Sequence, residues 1–250
     1  MNQFTAPFQA CDVITFNILT KTFKFKKLDL INMCNYYSKY RADKQYLLAM
    51  KLLRIKYSVE NLLGDDHFKK SLATLGEIAD LYLESEYVEK ALETCEGAIK
   101  KFKDLSPEAI KFFCVMMKSY LKQGDDARVL DVYKAAKGII CFNFGEYHPL
   151  NSTFNSLLGY HYFLSKKYSE SIYFYKTGLD ECIRNLGIAH QYTGQMFLDA
   201  ANVYLAMGKR HDAIMSLEKA FGIFEVAKLE DASEKADLAS QIGKFFRSDL

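Results

Sequence analysis

Histidine is the residue type in this chain whose spacing most suggests chemistry. Three of the five histidines follow a glycine by three residues, in the segments 64–67, 145–148 and 187–190. Imidazoles at repeated positions could ligate zinc or transfer protons. However, Zn–N bonds are only about 2 Å long, whereas equivalent residues of stacked helical units lie about 10 Å or more apart. The spacing therefore predicts histidines at helix starts within loops, and no metal site.

Carboxylate pairs and cysteines are the other groups that could do chemistry. The acidic pairs are Asp65-Asp66, Asp125-Asp126 and Glu230-Asp231, and we expect them to favour the N-terminal dipole of the helices that follow. Six cysteines occur without a CxxC pair, which is typical of reduced thiols in a cytoplasmic protein. No phosphate-binding glycine loop, nucleophile elbow or HExxH motif is present. The sequence therefore predicts a protein that is not an enzyme and needs no cofactor.

The charge and hydropathy of the chain argue against nucleic acid and a membrane as partners. The net charge is +2 with 26% charged residues, so the basic domain that is typical of nucleic-acid binding is missing. No run reaches the roughly 18 consecutive apolar residues of a membrane span, and the first 27 residues lack the basic start of a signal peptide. We expect a cytoplasmic protein with a protein or peptide partner, no nucleic acid and no membrane span.

An internal repeat in the sequence predicts the helices that position these side chains. Tyr82, Tyr120, Tyr162 and Tyr204 are separated by 38, 42 and 42 residues. Small residues dominate three positions relative to each tyrosine: three before it (Ala79, Met117, Gly159, Ala201), nine after it (Ala91, Val129, Ser171, Ala213) and sixteen after it (Ala98, Ala136, Gly178, Ala220). Small side chains let a partner helix approach, and the tyrosine fills the neighbouring groove. The pattern predicts stacked helical hairpins.

The repeat extends beyond these four units. Tyr40 and Ala49 show the same nine-residue offset, which predicts a fifth unit with helices over 28–40 and 45–62. Residues 231–247 are amphipathic and predict a terminal helix that seals the array. Five phenylalanines in residues 1–27 favour an ordered arm. The predicted organisation is an irregular arm over 1–27, a repeat array over 28–228 and a capping helix with tail over 229–250.

The tyrosine and its two following small positions resemble the tetratricopeptide repeat, and the 42-residue period with Gly-x-x-His links is similar to the repeats of kinesin light chains. The resemblance covers residues 28–228. It implies an all-α fold, a right-handed α-solenoid of about five antiparallel helix pairs with a capping helix. It also implies a non-enzymatic scaffold or adaptor within a larger hetero-complex, with a cytoskeletal or transport role. The link near 105 lacks Gly-x-x-His, and no heptad coiled coil precedes the repeats.

In the fold that this resemblance implies, the first helix of each pair lines a concave groove. The residues expected to bind a partner there are Lys111, Lys118, Lys122, Tyr160, Phe163, Gln195 and Asn202. The three lysines would attract an acidic segment, and the aromatic and amide side chains would anchor it. Two other hypotheses stay open: the helical appendage of a SET/MYND-type methyltransferase without its catalytic part, and a regulator that senses a signalling peptide.

Overall fold

A computed structural model describes residues 27–62, 68–102, 106–146 and 148–227 of the protein. Within these ranges the chain is all-α, as predicted, and forms no strand. The helices are α1 (Lys27–Ala42), α2 (Tyr46–Leu62), α3 (Phe68–Glu84), α4 (Val88–Ile99), α5 (Ile110–Gln123), α6 (Asp126–Phe144), α7 (Leu150–Leu164), α8 (Tyr168–Leu186), α9 (Gln191–Ala206) and α10 (Arg210–Ala227). A short 3-10 turn, Pro107–Ala109, precedes α5. The predicted arm and capping helix lie outside the described residues.

The ten described helices follow one another as five pairs, each joined by a turn of two or three residues. We call the odd-numbered helices A helices and the even-numbered ones B helices. The predicted fifth unit is α1 with α2, whose bounds differ from the expected 28–40 and 45–62 by at most two residues. The chain divides into two compact units between Ser119 and Tyr120, inside α5.

One turn geometry recurs in all five pairs and shows that the repeat is structural. The residue four positions after the repeat tyrosine always has a positive φ: Lys44 (56°), Glu86 (66°), Gly124 (71°), Lys166 (59°) and Gly208 (73°). The amide one residue later donates to the carbonyl of the repeat tyrosine in every pair, at 2.8–3.1 Å. This left-handed residue is what ends each A helix.

The turn geometry predicts the effect of replacing a lysine that has a positive φ. A left-handed conformation costs a residue with a Cβ about 1–2 kcal/mol, and the greater freedom of unfolded glycine offsets about 0.4–1 kcal/mol of that. Lys166→Gly should therefore raise the free energy of unfolding by roughly 0.5 kcal/mol in urea denaturation. Lys167→Gly is the control, since Lys167 has a φ of −87° and should gain nothing. Equal effects of the two changes would contradict the prediction.

The first unit packs α1 on α2, α2 on α3 and α3 on α4. One buried cluster joins residues from α1 to α5, among them Leu53, Leu81, Cys95 and Phe112. The guanidinium of Arg41 donates to both carboxylate oxygens of Glu84. This ion pair connects the two neighbouring A helices α1 and α3.

The second unit packs α6, α7, α8, α9 and α10 in chain order, each on the next, and α7 also touches α9. Small residues at the predicted positions let neighbouring helices pack closely in its core. An ideal Cβ on Gly159 would lie 3.0 Å from the ring of Tyr175, and one on Gly178 would lie 3.2 Å from Met196 Cε. The residues three before, nine after and sixteen after each of the four repeat tyrosines, twelve in all, are buried. The prediction that they permit close helix packing is confirmed.

Candidate functional site

The repeated histidines that the structure describes serve to start helices. In both of their links a glycine with φ near 90° ends the preceding helix. Nδ1 of His148 then accepts from the amide of Leu150 at 3.3 Å, and Nδ1 of His190 accepts from the amide of Tyr192 at 3.1 Å. Each imidazole thus satisfies an amide that has no partner within the helix. These contacts agree with the helix-start interpretation, while His67 lies outside the described residues.

Asp125 has the same kind of role at the start of α6. Its Oδ1 accepts from the amide of Arg128 at 3.1 Å. This confirms the prediction for the one acidic pair that the structure describes. Across the described ranges, no group of three or more His, Cys, Asp and Glu side chains is placed to hold a metal ion.

The A helices of the first unit form a surface that carries two of the predicted lysines. We call it the first A face, and its members are Ala73, Gly76 and Asp80 from α3 and Lys111, Cys114 and Lys118 from α5. The aliphatic stem of Lys111 lies on Gly76, where an ideal Cβ would be only 2.8 Å from Cδ and Cε of the lysine. Nζ of Lys111 donates to the carbonyl oxygen of Ala73 at 3.4 Å. Gly76 therefore provides the space in which Lys111 crosses from α5 to α3.

Cys114 lies between the two lysines on α5, and the charged side chains around it affect the pKa of its thiol. Burial raises the pKa of the Cys114 thiol, Lys118 and Lys111 lower it, and Asp80 raises it. Asp80 on α3 therefore contributes negative charge near the Cys114 thiol. Lys118 is exposed. The third predicted lysine, Lys122, is exposed on the last turn of α5, which belongs to the second unit.

The A helices of the second unit form a different kind of surface. We call it the second A face, and it consists of Tyr160, Phe163, Leu164, Gln195 and Asn202. Tyr160 and Leu164 of α7 are 47% and 54% exposed and lie one helical turn apart. Helices α7 and α9, with 15 and 16 residues, carry almost no charge: Asp199 is the single Lys, Arg, Asp or Glu residue in the two helices.

Buried Tyr175 of α8 belongs to the cluster against which Phe163 packs. Burial raises the pKa of the Tyr175 phenol, and Asp199 and Tyr160 raise it further. Nε2 of Gln195 donates to Oδ1 of Asp199 at 3.0 Å. Asp199 therefore lies near both the Gln195 amide and the Tyr175 phenol.

The remaining two predicted residues differ in their availability to a partner. Asn202 is exposed on α9. Phe163 is half-buried, its ring centroid lies 6.0 Å from that of Tyr168, and it packs against the cluster that contains Met196 and Ala200. Phe163 is thus largely a packing residue.

Three residues in or beside these surfaces were not predicted from the sequence: Gly76 as the support of Lys111, Asp199 and Tyr175. The one available signal was the isolation of Asp199 as a charge in α9. Nothing in the sequence shows that Lys111 and Gly76 touch, because they lie on different helices.

Comparison with known proteins gives a clear answer for the fold. No family model and no curated protein matches the sequence. Among solved structures, TPR-like repeats described as those of a kinesin light chain from Podosopora anserina share 18% identity at a TM-score of 0.60, covering 80% of this chain and 96% of that one. BtubC (BKLC) from P. vanneervenii shares 16% identity at a TM-score of 0.55, covering 88% and 91%.

A third similar structure is the apo form of RapI, with 12% identity and a TM-score of 0.65 over 87% of this chain and 77% of that one. No helix in the described ranges is both long enough and apolar enough to cross a membrane. The recurrent turns, the buried small positions and these similarities agree with each other. The predicted resemblance is therefore confirmed at the level of structure: this chain has the all-α, TPR-like solenoid fold.

Proposed function

We propose that the chain is a non-enzymatic scaffold that binds a partner protein segment on the exposed faces of its A helices. The second A face carries the proposal. Large apolar side chains remain exposed at Tyr160 and Leu164 on helices that carry almost no charge. A helix face that only meets water is normally lined with charged residues. Exposed aromatic and amide groups on rigid helices instead suit recognition of a peptide.

The first A face supports the same function with a different chemistry. Helix α5 has three lysines and no acidic residue, which favours an acidic partner segment there. The proposed partner is a protein or peptide, bound within a hetero-complex, rather than nucleic acid. A cytoplasmic location, including a cytoskeletal or transport role, remains a prediction from the cysteine pattern and the repeat resemblance.

The test is affinity capture with matched variants of the full chain. Tyr160→Ser/Leu164→Ser removes the apolar part of the second A face, and Tyr173→Ser/Met215→Ser removes equally exposed apolar groups from B helices. Each protein is immobilised and the proteins it retains are quantified by mass spectrometry. We expect partners of the wild type to fall at least fivefold on the A-helix variant, because hot-spot aromatic residues contribute about 1–2 kcal/mol or more. They should persist on the B-helix variant.

The same set of retained proteins on the wild type and both variants would contradict the proposal, as would loss on the B-helix variant alone. Circular dichroism of each variant verifies that the helices are intact. An acidic partner is examined separately with Lys118→Glu/Lys122→Glu, which reverses two charges of α5. Partners that stay bound to this variant do not depend on the lysines.

A further inference from the structure

Exposed apolar side chains are concentrated at one edge of the second unit. Helices α6, α8 and α10 run in the same direction because antiparallel A helices alternate with them, so their C-terminal ends lie at the same edge. We call this the link edge, and its exposed members are Phe142 (72%), Phe144 (46%), Ile188 (61%), Tyr192 (54%) and Val226 (69%). Apolar groups that gather in one exposed place are typical of an interaction site.

We propose that two copies of the chain associate through the link edge as a two-fold symmetric dimer. The proposal goes beyond the scaffold function, which concerns the A helices, and does not depend on it. In a two-fold dimer the same surface of each copy faces the other, so every contact occurs twice. The dimer would carry two second A faces, and a partner with two binding segments would gain avidity from both.

The members of the edge on α9 and α10 lie side by side. An ideal Cβ on Gly194 of α9 would lie 2.7 Å from Cε1 of Phe224 on α10. Tyr192 and Val226 are each two residues nearer the edge than this contact, and the helices are antiparallel, so these two residues lie at the same level. Ile188 belongs to the same link as Tyr192.

The α6–α7 link lies level with the end of α8. An ideal Cβ on Gly178 of α8 would lie 3.3 Å from Cβ of Asn155 on α7. Leu150 and Ile183 are each five residues nearer the edge than this contact, so the start of α7 lies beside the last turn of α8. The α6–α7 link, which follows Phe144, therefore adjoins the α8–α9 link.

Two of the exposed rings are held by the histidines of their links. The ring centroid of Phe144 lies 4.5 Å from that of His148, and the ring centroid of Tyr192 lies 5.9 Å from that of His190, both stacked. Each imidazole also accepts a hydrogen bond from a backbone amide at a helix start. A ring that is positioned before association loses less rotamer freedom when it binds. The two rings are therefore prepared for a defined contact.

The area of the link edge is that of a weak dimer. Since a fully buried aromatic side chain removes about 150–250 Å² from water, the exposed fractions of the five members leave roughly 500 Å² per copy. Two copies would bury about 1,000 Å², the lower limit of a specific interface. We expect a dissociation constant on the order of 10–100 μM. The chain is then a monomer at the low micromolar concentrations of circular dichroism.

The charges of the link edge favour a second copy over a membrane. Segments 141–149, 184–192 and 221–227 contain three charged residues, Glu146, Arg184 and Glu225. Binding to anionic lipid requires a cluster of lysines and arginines, which these segments lack. Glu146 and Arg184 are exposed beside different links. A two-fold pairing in which each link faces the other link of the second copy therefore brings opposite charges together twice.

Sedimentation velocity of the full chain from about 2 to 500 μM tests the dimer, because association follows mass action. We expect a monomer at the lowest concentration and mostly dimer at the highest. Ile188→Ser/Tyr192→Ser should weaken association at least tenfold, since each lost contact occurs twice. The matched control is Tyr173→Ser/Met215→Ser, which removes exposed apolar groups far from the edge and should leave association unchanged. Circular dichroism verifies the helices of each variant.

Charge reversals test the pairing of the links. Glu146→Arg and Arg184→Glu should each weaken association roughly three- to tenfold at low salt, because like charges then meet at both contacts. An equimolar mixture of the two variants should recover the wild-type affinity, since opposite charges meet at both contacts of the mixed dimer. An ion pair within one copy cannot produce this recovery.

The outcomes separate the dimer from the proposed function. A chain that stays monomeric at the highest concentration, or equal association of the wild type and the Ile188/Tyr192 variant, would overturn the dimer. Binding to phosphatidylserine vesicles without self-association would overturn it as well and assign the edge to a membrane. A mixture of charge variants that does not recover would overturn the pairing of the links. In each case the scaffold function stands if captured partners still depend on Tyr160 and Leu164.

Discussion

Phe154→Ala should lower the free energy of unfolding by about 3–5 kcal/mol, the usual cost of removing a buried phenylalanine ring. Phe154 lies on α7 eight residues before the repeat tyrosine and is 1% exposed. The same repeat position holds Phe112 in the first unit and Met196 on α9, which are 1% and 2% exposed. A large apolar side chain therefore occupies this buried position on α5, α7 and α9, while α3 has Thr74 there.

Urea denaturation followed by circular dichroism measures the change, and hydrogen exchange of α7–α9 amides localises it to the second unit. Phe142→Ala is the matched control, because Phe142 on α6 is 72% exposed. Its replacement should change the free energy by less than about 0.5 kcal/mol. Similar losses from the two substitutions would mean that Phe154 is not a core residue.

Asn155→Leu should cost about 2–4 kcal/mol, because it breaks a buried polar network that crosses three helices. Asn155 is 1% exposed. Its Oδ1 accepts from the hydroxyl of Tyr133 on α6 at 2.9 Å, and its Nδ2 donates to Oε2 of Glu181 on α8 at 2.8 Å. Leucine would leave both of these groups without that partner. Asn155 therefore joins α6 to α8 through its two hydrogen bonds.

Thermal and urea denaturation test the prediction against Asn202→Leu, which replaces an exposed asparagine on α9 and should be nearly neutral. The double variant Asn155→Leu/Glu181→Leu should recover part of the loss, since both ends of the broken bond are then apolar. A double variant that loses the full sum of the single costs would show that the two side chains act independently.

The same network predicts that the free energy of unfolding depends on pH through Glu181. Burial raises the pKa of Glu181, although the amide of Asn155 and Lys137 lower it, and Asp180 and Glu146 raise it. A carboxyl with a raised folded-state pKa holds its proton more tightly when folded. Its contribution to stability is complete below the unfolded pKa of about 4.3 and is lost as the pH rises through the folded value.

Glu181→Gln removes this titration and keeps an oxygen that accepts from Asn155. The free energy of unfolding of wild type minus that of Glu181→Gln should therefore increase as the pH falls from 7 to 4. Urea denaturation at both pH values gives the difference. An unchanged or decreasing difference would show that burial does not dominate the environment of Glu181.

Much of the fold could be predicted because helical repeats leave local signals. The repeat tyrosine and the small residues nine and sixteen positions later identified four pairs, and the nine-residue offset from Tyr40 to Ala49 identified the fifth. Helix bounds in that pair came within two residues. The positive φ at Lys44, Glu86 and Lys166 was not predicted, because glycine marks that position only at Gly124 and Gly208.

The candidate surfaces were only partly predictable. Lys111, Lys118, Tyr160 and Asn202 are exposed as expected for partner-binding positions, while Phe163 is drawn into the core. Their roles in binding remain predictions. The division of the chain inside α5 left no mark in the sequence, because the helix is continuous across it.

The sequence by itself determined the all-α class, the pairing of consecutive helices and the buried small positions, because each depends on spacing within one or two adjacent helices. Only the tertiary structure decided that Lys111 rests on Gly76 and that Asn155 joins Tyr133 to Glu181. These contacts join side chains from separate helices, and their geometry depends on how closely and at what angle those helices pack. Periodicity along the chain carries no information about that angle.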